Sequence, residues 1–156
     1  MHYKLNIKRG FIVDSEDEHL LHKHLFYVKP DGYVVTNIVI DCKRSQISLH
    51  RMVMPGVDLV DHKSRNKLDN RKDNLRPATV AESAHNKDKY KCNKSKYKGV
   101  TQSKRNGDKW ESNIRVNGKK LYLGLFTTQE QAALLYDIAA KKHRKEFAVF
   151  NFNLEL

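Results

Sequence analysis

Lys109-Trp110-Glu111-Ser112-Asn113-Ile114-Arg115-Val116, then Asn117-Gly118, then Lys120-Leu121-Tyr122-Leu123-Gly124-Leu125, is the stretch whose reading decides the fold of half this chain. Two strand-like segments flank an Asn-Gly pair. That pair is the strongest short-range hairpin signal, because a tight two-residue turn needs positive φ at both central positions. Upstream, Asn106-Gly107 separates residues 109–116 from a third strand candidate, 97–102. The three segments read as an antiparallel meander. Thr127-Thr128 follows, with Glu130 and Gln131 at capping-box spacing. Ala132, Ala133, Tyr136, Ala139, Ala140 and His143 then recur on one face of a helix. That face is expected to lie on one side of the sheet, with the small alanines allowing close approach. The other sheet face is left free and carries Lys and Arg. Gly99 and Gly124 read as points where another element comes close. Trp110 reads equally well as packing, in the core or on the sheet face, and as a ligand contact.

Working outward, residues 86–95 are polar and basic, a spacer or a phosphate-contacting strap. Before them, Ser15-Glu16-Asp17-Glu18 is a capping box expected to start a short helix through His24. Strand-like runs follow at Tyr33-Val34-Val35, Ile38-Val39-Ile40 and Gln46-Ile47-Ser48-Leu49, then at residues 57–62 after the Pro55-Gly56 break. Leu75-Arg76-Pro77 is a short extended piece. Thr79-Val80-Ala81-Glu82 is a second capping box, expected to open a helix to about Lys87.

Charge follows this division. Net charge is +12; residues 1–85 hold 14 Lys and Arg against 11 Asp and Glu, and residues 86–156 hold 16 against 7. A strongly basic half beside a nearly balanced one points to a polyanion-binding module joined to something else. No run approaches the roughly 18 apolar residues of a membrane span. The N-terminus has no signal-like apolar segment, so the chain reads as intracellular and cytoplasmic. Cys42 and Cys92 form no C-x-x-C pair, which excludes a zinc ribbon and gives no disulfide framework.

One constellation in the first half carries possible chemistry. In Val60-Asp61-His62, Asp61 would offer a carboxylate to a hard divalent cation. His62 would offer an imidazole able to take a proton from water near neutral pH. Metal-assisted phosphodiester cleavage needs both functions. Downstream come Asp69-Asn70-Arg71, Asn74-Leu75-Arg76 and Ala78-Thr79; upstream come Asp31-Gly32-Tyr33 and Leu49-His50-Arg51. Together these resemble the HNH family of homing endonucleases. The resemblance implies a ββα-metal module with extra small strands and a short helix. It also implies Asp61 as metal ligand, His62 as general base and Asn74 as the residue that braces the loop and orients the base. Ser83 stands at the third motif position, where the family usually has Asn or His. A magnesium ion, or manganese in its place, is the implied cofactor, and a nick by a monomer the implied outcome. His50 reads instead as a hydrogen-bonding residue near the core. His19, His22 and His24 read as a solvated helix face, and Asp69-Asn70 as loop capping.

The second half resembles the plant Apetala/ethylene-response-factor DNA-binding domain, a module also found fused to HNH homing endonucleases of phage and intron type. The matching residues are Tyr97-Lys98-Gly99-Val100, Lys109-Trp110-Glu111-Ser112-Asn113-Ile114-Arg115, Lys120-Leu121-Tyr122-Leu123-Gly124-Leu125-Phe126, Thr128, Glu130, Ala132-Ala133, Tyr136-Asp137, Ala139-Ala140 and Asn151-Phe152. The resemblance implies a sheet that enters the major groove of double-stranded DNA. Its DNA-facing positions here would be Lys98, Thr101, Ser103, Asn113, Arg115, Lys120 and Tyr122. Asn113 and Arg115 are suited to adenine and guanine edges. Lys98, Lys104 and Lys120 are suited to phosphate. The plant members have Arg at the first three positions and Glu at the fourth, so the plant target sequence is not expected to carry over.

The expectation is an α+β chain of three parts: a nuclease module (1–87), a basic linker (88–94) and a DNA-binding domain (95–156). Its leading function is a site-specific homing endonuclease. Its alternative is a DNA-binding regulator with a decayed nuclease, favoured by Ser83. An RNA-binding module is a third reading, which the linker permits and the two resemblances do not favour.

Overall fold

The computed structural model describes residues 3–6, 10–86 and 94–152. Apart from Lys94, the linker expected at 88–94 lies outside the described residues. The chain divides into two compact units, Met1–Ala81 and Glu82–Leu156.

The first unit is built from small sheets. β1 (Tyr3–Asn6) and β2 (Phe11–Asp14) form an antiparallel pair. A 3-10 turn (Ser15–Asp17) leads into α1 (Glu18–Lys23). β3 (Tyr27–Val28), β4 (Val34–Ile40) and β5 (Lys43–Ser48) form a second sheet, followed by α2 (Leu49–Val53). β6 (Val60–His62) pairs with β7 (Leu75–Pro77), and α3 (Val80–His85) follows at the division between the units. Phe11, Val13, Phe26, Val34, Leu49, Val60 and Leu75 share one core. The loop between β6 and β7 is fixed to β2: Ile12 N donates to Leu68 O at 2.8 Å, and Asn70 N donates to Ile12 O at 2.9 Å.

Several expectations for this half are corrected. Asp14, not Ser15, stands before the first turn, and no side chain caps it. The run ending at Leu49 does not stay extended: Leu49 is fully buried and opens α2. The strand expected over 57–62 covers only Val60–His62.

The second unit is a three-stranded antiparallel sheet, β8 (Val100–Gln102), β9 (Trp110–Val116) and β10 (Lys119–Phe126), with β9 in the centre. One helix, α4 (Gln129–Arg144), covers one face. This is the C-terminal architecture the sequence implied. Asn117 and Gly118 have φ of 49° and 77°, as a tight two-residue turn requires. Asn106-Gly107 instead sits in a longer loop, closed where Ser103 N donates to Lys109 O at 2.9 Å. Thr128 caps α4, its Oγ1 accepting from Gln131 N at 3.2 Å.

Side chains alternate in and out along β9. Ser112 and Ile114 are buried toward α4, and Trp110 and Val116 pack on the same side. The helix contributes Ala132, Ala133, Tyr136, Ala139 and Ala140. His143 is exposed, and Arg144 closes the buried face instead, its Nη1 donating to Tyr136 Oη at 2.6 Å. Gly99 shows how tight the fit is. A Cβ there would fall 1.9 Å from the Tyr136 ring, and φ is +77°. Asp137, also buried, accepts from the backbone of Asn151 and Phe152 at 2.9 and 3.0 Å. Asn151 in turn binds the backbone of Lys98 on both its N–H and its carbonyl. The chain end is thereby fastened to the start of the sheet.

Candidate nucleic-acid interface

The face of the sheet away from α4 is where the expected readers meet. On β9 the outward positions are Glu111, Asn113 and Arg115. The register places Lys120 opposite Arg115, Tyr122 opposite Asn113, and Thr101 and Leu125 on either side of Glu111. Directly opposed residues share a face. A bulge between Tyr122 and Gly124 shifts the phase of β10, so Tyr122 and Leu125 both end up outward. Thr101, Arg115, Lys120 and Tyr122 are exposed, and Lys104 is exposed on the β8–β9 loop.

Asn113 is the unusual member. Its Oδ1 and Nδ2 are both shielded from solvent, and neither has a hydrogen-bond partner. An unsatisfied, desolvated amide costs roughly 1–3 kcal/mol. As placed, neither atom is open to a ligand, so contact with a donor-and-acceptor edge requires the side chain to turn outward.

Two expected contacts are used inside the fold. Ser103 is buried, and its Oγ accepts from Asn106 N in the β8–β9 loop. The Lys98 ammonium donates to the His85 carbonyl at 2.7 Å, at the end of α3. Neither arrangement has a signature in the sequence. Glu111 and Leu125, conversely, were not singled out, although Glu111 sits two residues from Asn113 in the same alternation. Trp110 belongs to the helix-facing cluster.

The first unit does not assemble the expected metal centre. Asp61 and Arg76 face each other in the β6–β7 register, both buried. Asp61 Oδ2 accepts from Arg76 Nε at 3.0 Å and from Nη2 at 2.9 Å. The carboxylate is therefore committed to a forked ion pair. Ser83 falls in the other compact unit. With Asp61 Oδ2 held by Arg76, Asp61 does not fit the role of an open ligand to a magnesium or manganese ion.

His62 is buried, with Nε2 and Asn70 Oδ1 3.3 Å apart. Its ring lies edge-on to His50, centroids 5.1 Å apart, with Tyr33 beside both. Burial, reinforced by the neighbouring His62, lowers the His50 pKa to about 4. Burial likewise holds His62 below the usual imidazole range. Asn74 ties the preceding loop, donating to Asp69 O at 2.7 Å and accepting from Ser64 N at 2.9 Å. Asp69 is gripped by Arg71, whose hydrogen bonds lower its pKa.

Among the described residues, a carboxylate cluster that could hold a cation lies elsewhere, at Asp14, Glu16 and Asp17, with ligand atoms within 4.8 Å of one another. Lys72 already supplies positive charge there. Its ammonium pairs with Glu16 and Asp17, and its backbone N–H donates to Asp14.

The sheet and its helix match a DNA-binding domain of the AP2, or ethylene-response-factor, type. The chain is 53% identical over 62 residues to an AP2-like ethylene-responsive transcription factor of Arabidopsis thaliana, covering 38% of this chain and 18% of that protein. It is 52% identical over 62 residues to the ethylene-responsive transcription factor WRI1 of the same plant, covering 38% and 14%. It is also 52% identical over 60 residues to APETALA2-like protein 2 of Oryza sativa subsp. japonica, covering 38% and 14%. The chain thus spans less than a fifth of the length of these relatives. No protein-family model matches the chain.

These findings overturn the endonuclease expectation. The similarity runs to transcription factors rather than to HNH homing endonucleases. In the structure, the carboxylate read as a metal ligand is held by Arg76. The nicking, homing and hydrolase readings fall with it. No helix among the described residues is long and apolar enough to cross a membrane.

Proposed function

We propose that this protein is a sequence-specific DNA-binding regulator that docks the outer face of β8–β10 in the major groove of double-stranded DNA. The observation that carries the reading is the register of that face. Asn113 and Arg115 alternate outward on the central strand, with Tyr122 and Lys120 directly opposite. The names of the relatives, which are transcription factors, support it. So does the excess of Lys and Arg over residues 86–156. A narrow antiparallel sheet fits the major groove, where each base pair shows a distinct donor and acceptor pattern.

In this reading Arg115 donates to a guanine edge and Asn113 pairs with an adenine edge. Lys104 and Lys120 grip phosphate, while Thr101 and Tyr122 fill the surface between. Lys98 and Ser103 serve the fold first. The basic segment 88–94 acts as a strap between the DNA-binding part (95–156) and the N-terminal part (1–87). The N-terminal part carries the small sheets of β1 to β7, and positive charge at the Asp14, Glu16 and Asp17 cluster comes from Lys72.

The test is selection of preferred duplexes from a randomised pool with the whole protein, followed by titration of the winners. Arg115→Ala should weaken the best duplex by roughly ten- to a hundredfold and relax preference at one position. Failure of the unaltered protein to select any duplex above the random pool would refute the proposal.

A further inference from the structure

Glu111 is the acidic outward residue of β9, in line with Asn113 and Arg115. It is half-buried, and among the described residues it forms no ion pair. A carboxylate on a surface that approaches a polyanion is repelled by phosphate. That repulsion is offset only if the group meets hydrogen-bond donors. In the major groove, donors free of a neighbouring acceptor occur at one base. Cytosine shows its N4 amino group, adenine pairs its amino group with the acceptor N7, and guanine and thymine offer acceptors.

We infer that Glu111 selects cytosine, and that the order Glu111, Asn113, Arg115 along β9 is read as cytosine, adenine and guanine at alternating positions of a five-base-pair target. The spacing supports this phase. Outward neighbours on a strand are about 6.8 Å apart, and duplex DNA rises 3.4 Å per base pair. Successive readers on a strand lying along the groove therefore meet every second pair. The inference rests on the DNA-binding proposal above and adds the identity and the phase of the target.

The experiment repeats the selection with the unaltered chain, Glu111→Gln and Glu111→Ala. The unaltered chain should yield cytosine, adenine and guanine edges two pairs apart. Glutamine offers both a donor and an acceptor and suits adenine N6 and N7. Glu111→Gln should therefore convert the cytosine position, and only that position, to adenine, with a swing of about tenfold in each direction. Glu111→Ala should lose preference at the same position while keeping the other two. Two results overturn the inference and leave DNA binding standing: a target unchanged in both variants, or preferred positions adjacent rather than alternate. A protein that selects no duplex at all overturns the DNA-binding proposal and this inference with it.

Discussion

At the scale of single residues, the most consequential finding is the pairing of Asp61 with Arg76. An Asp-His dipeptide at a strand end invites a catalytic reading, because the sequence shows the carboxylate beside the imidazole and does not show the guanidinium across the hairpin. The β6–β7 register supplies it. Both partners are buried, with side-chain exposures of 9% and 8%. Removing one of two buried, paired charges leaves the other uncompensated, typically at a cost of about 3–5 kcal/mol. Arg76→Leu should therefore lower the unfolding free energy by that order. Asp61→Leu combined with Arg76→Leu should recover most of the loss, since well-packed apolar pairs often replace buried ion pairs without penalty. Urea denaturation of the three variants decides this; additive losses in the double variant would exclude a structural pair.

At the scale of elements, the legibility of the chain follows the range of the interactions that shape each piece. β9, β10 and their turn were readable because alternation and Asn117-Gly118 are local. The helix cap at Thr128 was readable for the same reason. The bulge beyond Tyr122 was legible only as a close approach at Gly124, where an added Cβ would meet the Phe126 ring at 2.9 Å. The end of the buried helix stripe was misplaced by one residue, because Arg144 reaches back to Tyr136 through a long side chain that periodicity cannot see. In the first unit β1, β2 and β3 are only two to four residues long, too short to show a clear alternation, and Leu49 was drawn into the strand it follows. The outer face of the sheet was legible where it follows the alternation, at Asn113, Arg115, Lys120 and Tyr122. It was illegible where tertiary contacts intervene, at Lys98 and Ser103. The contact between Gly99 and α4 gives a test at this scale. Gly99→Ala should destabilise the protein by at least about 2 kcal/mol, combining the unfavourable positive φ with a clash against the Tyr136 ring. Gly118→Ala, which has the same φ but no atom within 4 Å of the added Cβ, should cost roughly half as much. Equal effects in thermal denaturation would mean that the helix does not press on the sheet at Gly99.

At the scale of the whole molecule, net charge and groove-reading chemistry make different demands. Under the proposed function, the net charge of +12 sets how strongly the chain is drawn to any duplex, and salt weakens that attraction by returning counterions to DNA. Specificity depends on uncharged contacts as well. Lys104→Ala and Lys120→Ala should each flatten the plot of log affinity against log salt by about 0.9, the value for one phosphate neutralised. Asn113→Ala should weaken the preferred duplex while leaving that slope as it was. Parallel lines for all three variants in fluorescence anisotropy would remove the assignment of the lysines to phosphate.

The strict in-and-out alternation of β9 has a consequence for how such a protein can change over generations. Trp110, Ser112 and Ile114 answer to the helix; Glu111, Asn113 and Arg115 answer to whatever lies in front of the sheet. The two sets are interleaved codon by codon in the gene, yet they answer to different neighbours. Descendants of this scaffold can therefore change what the outer face recognises by single amino-acid replacements, without passing through an ancestor that fails to fold.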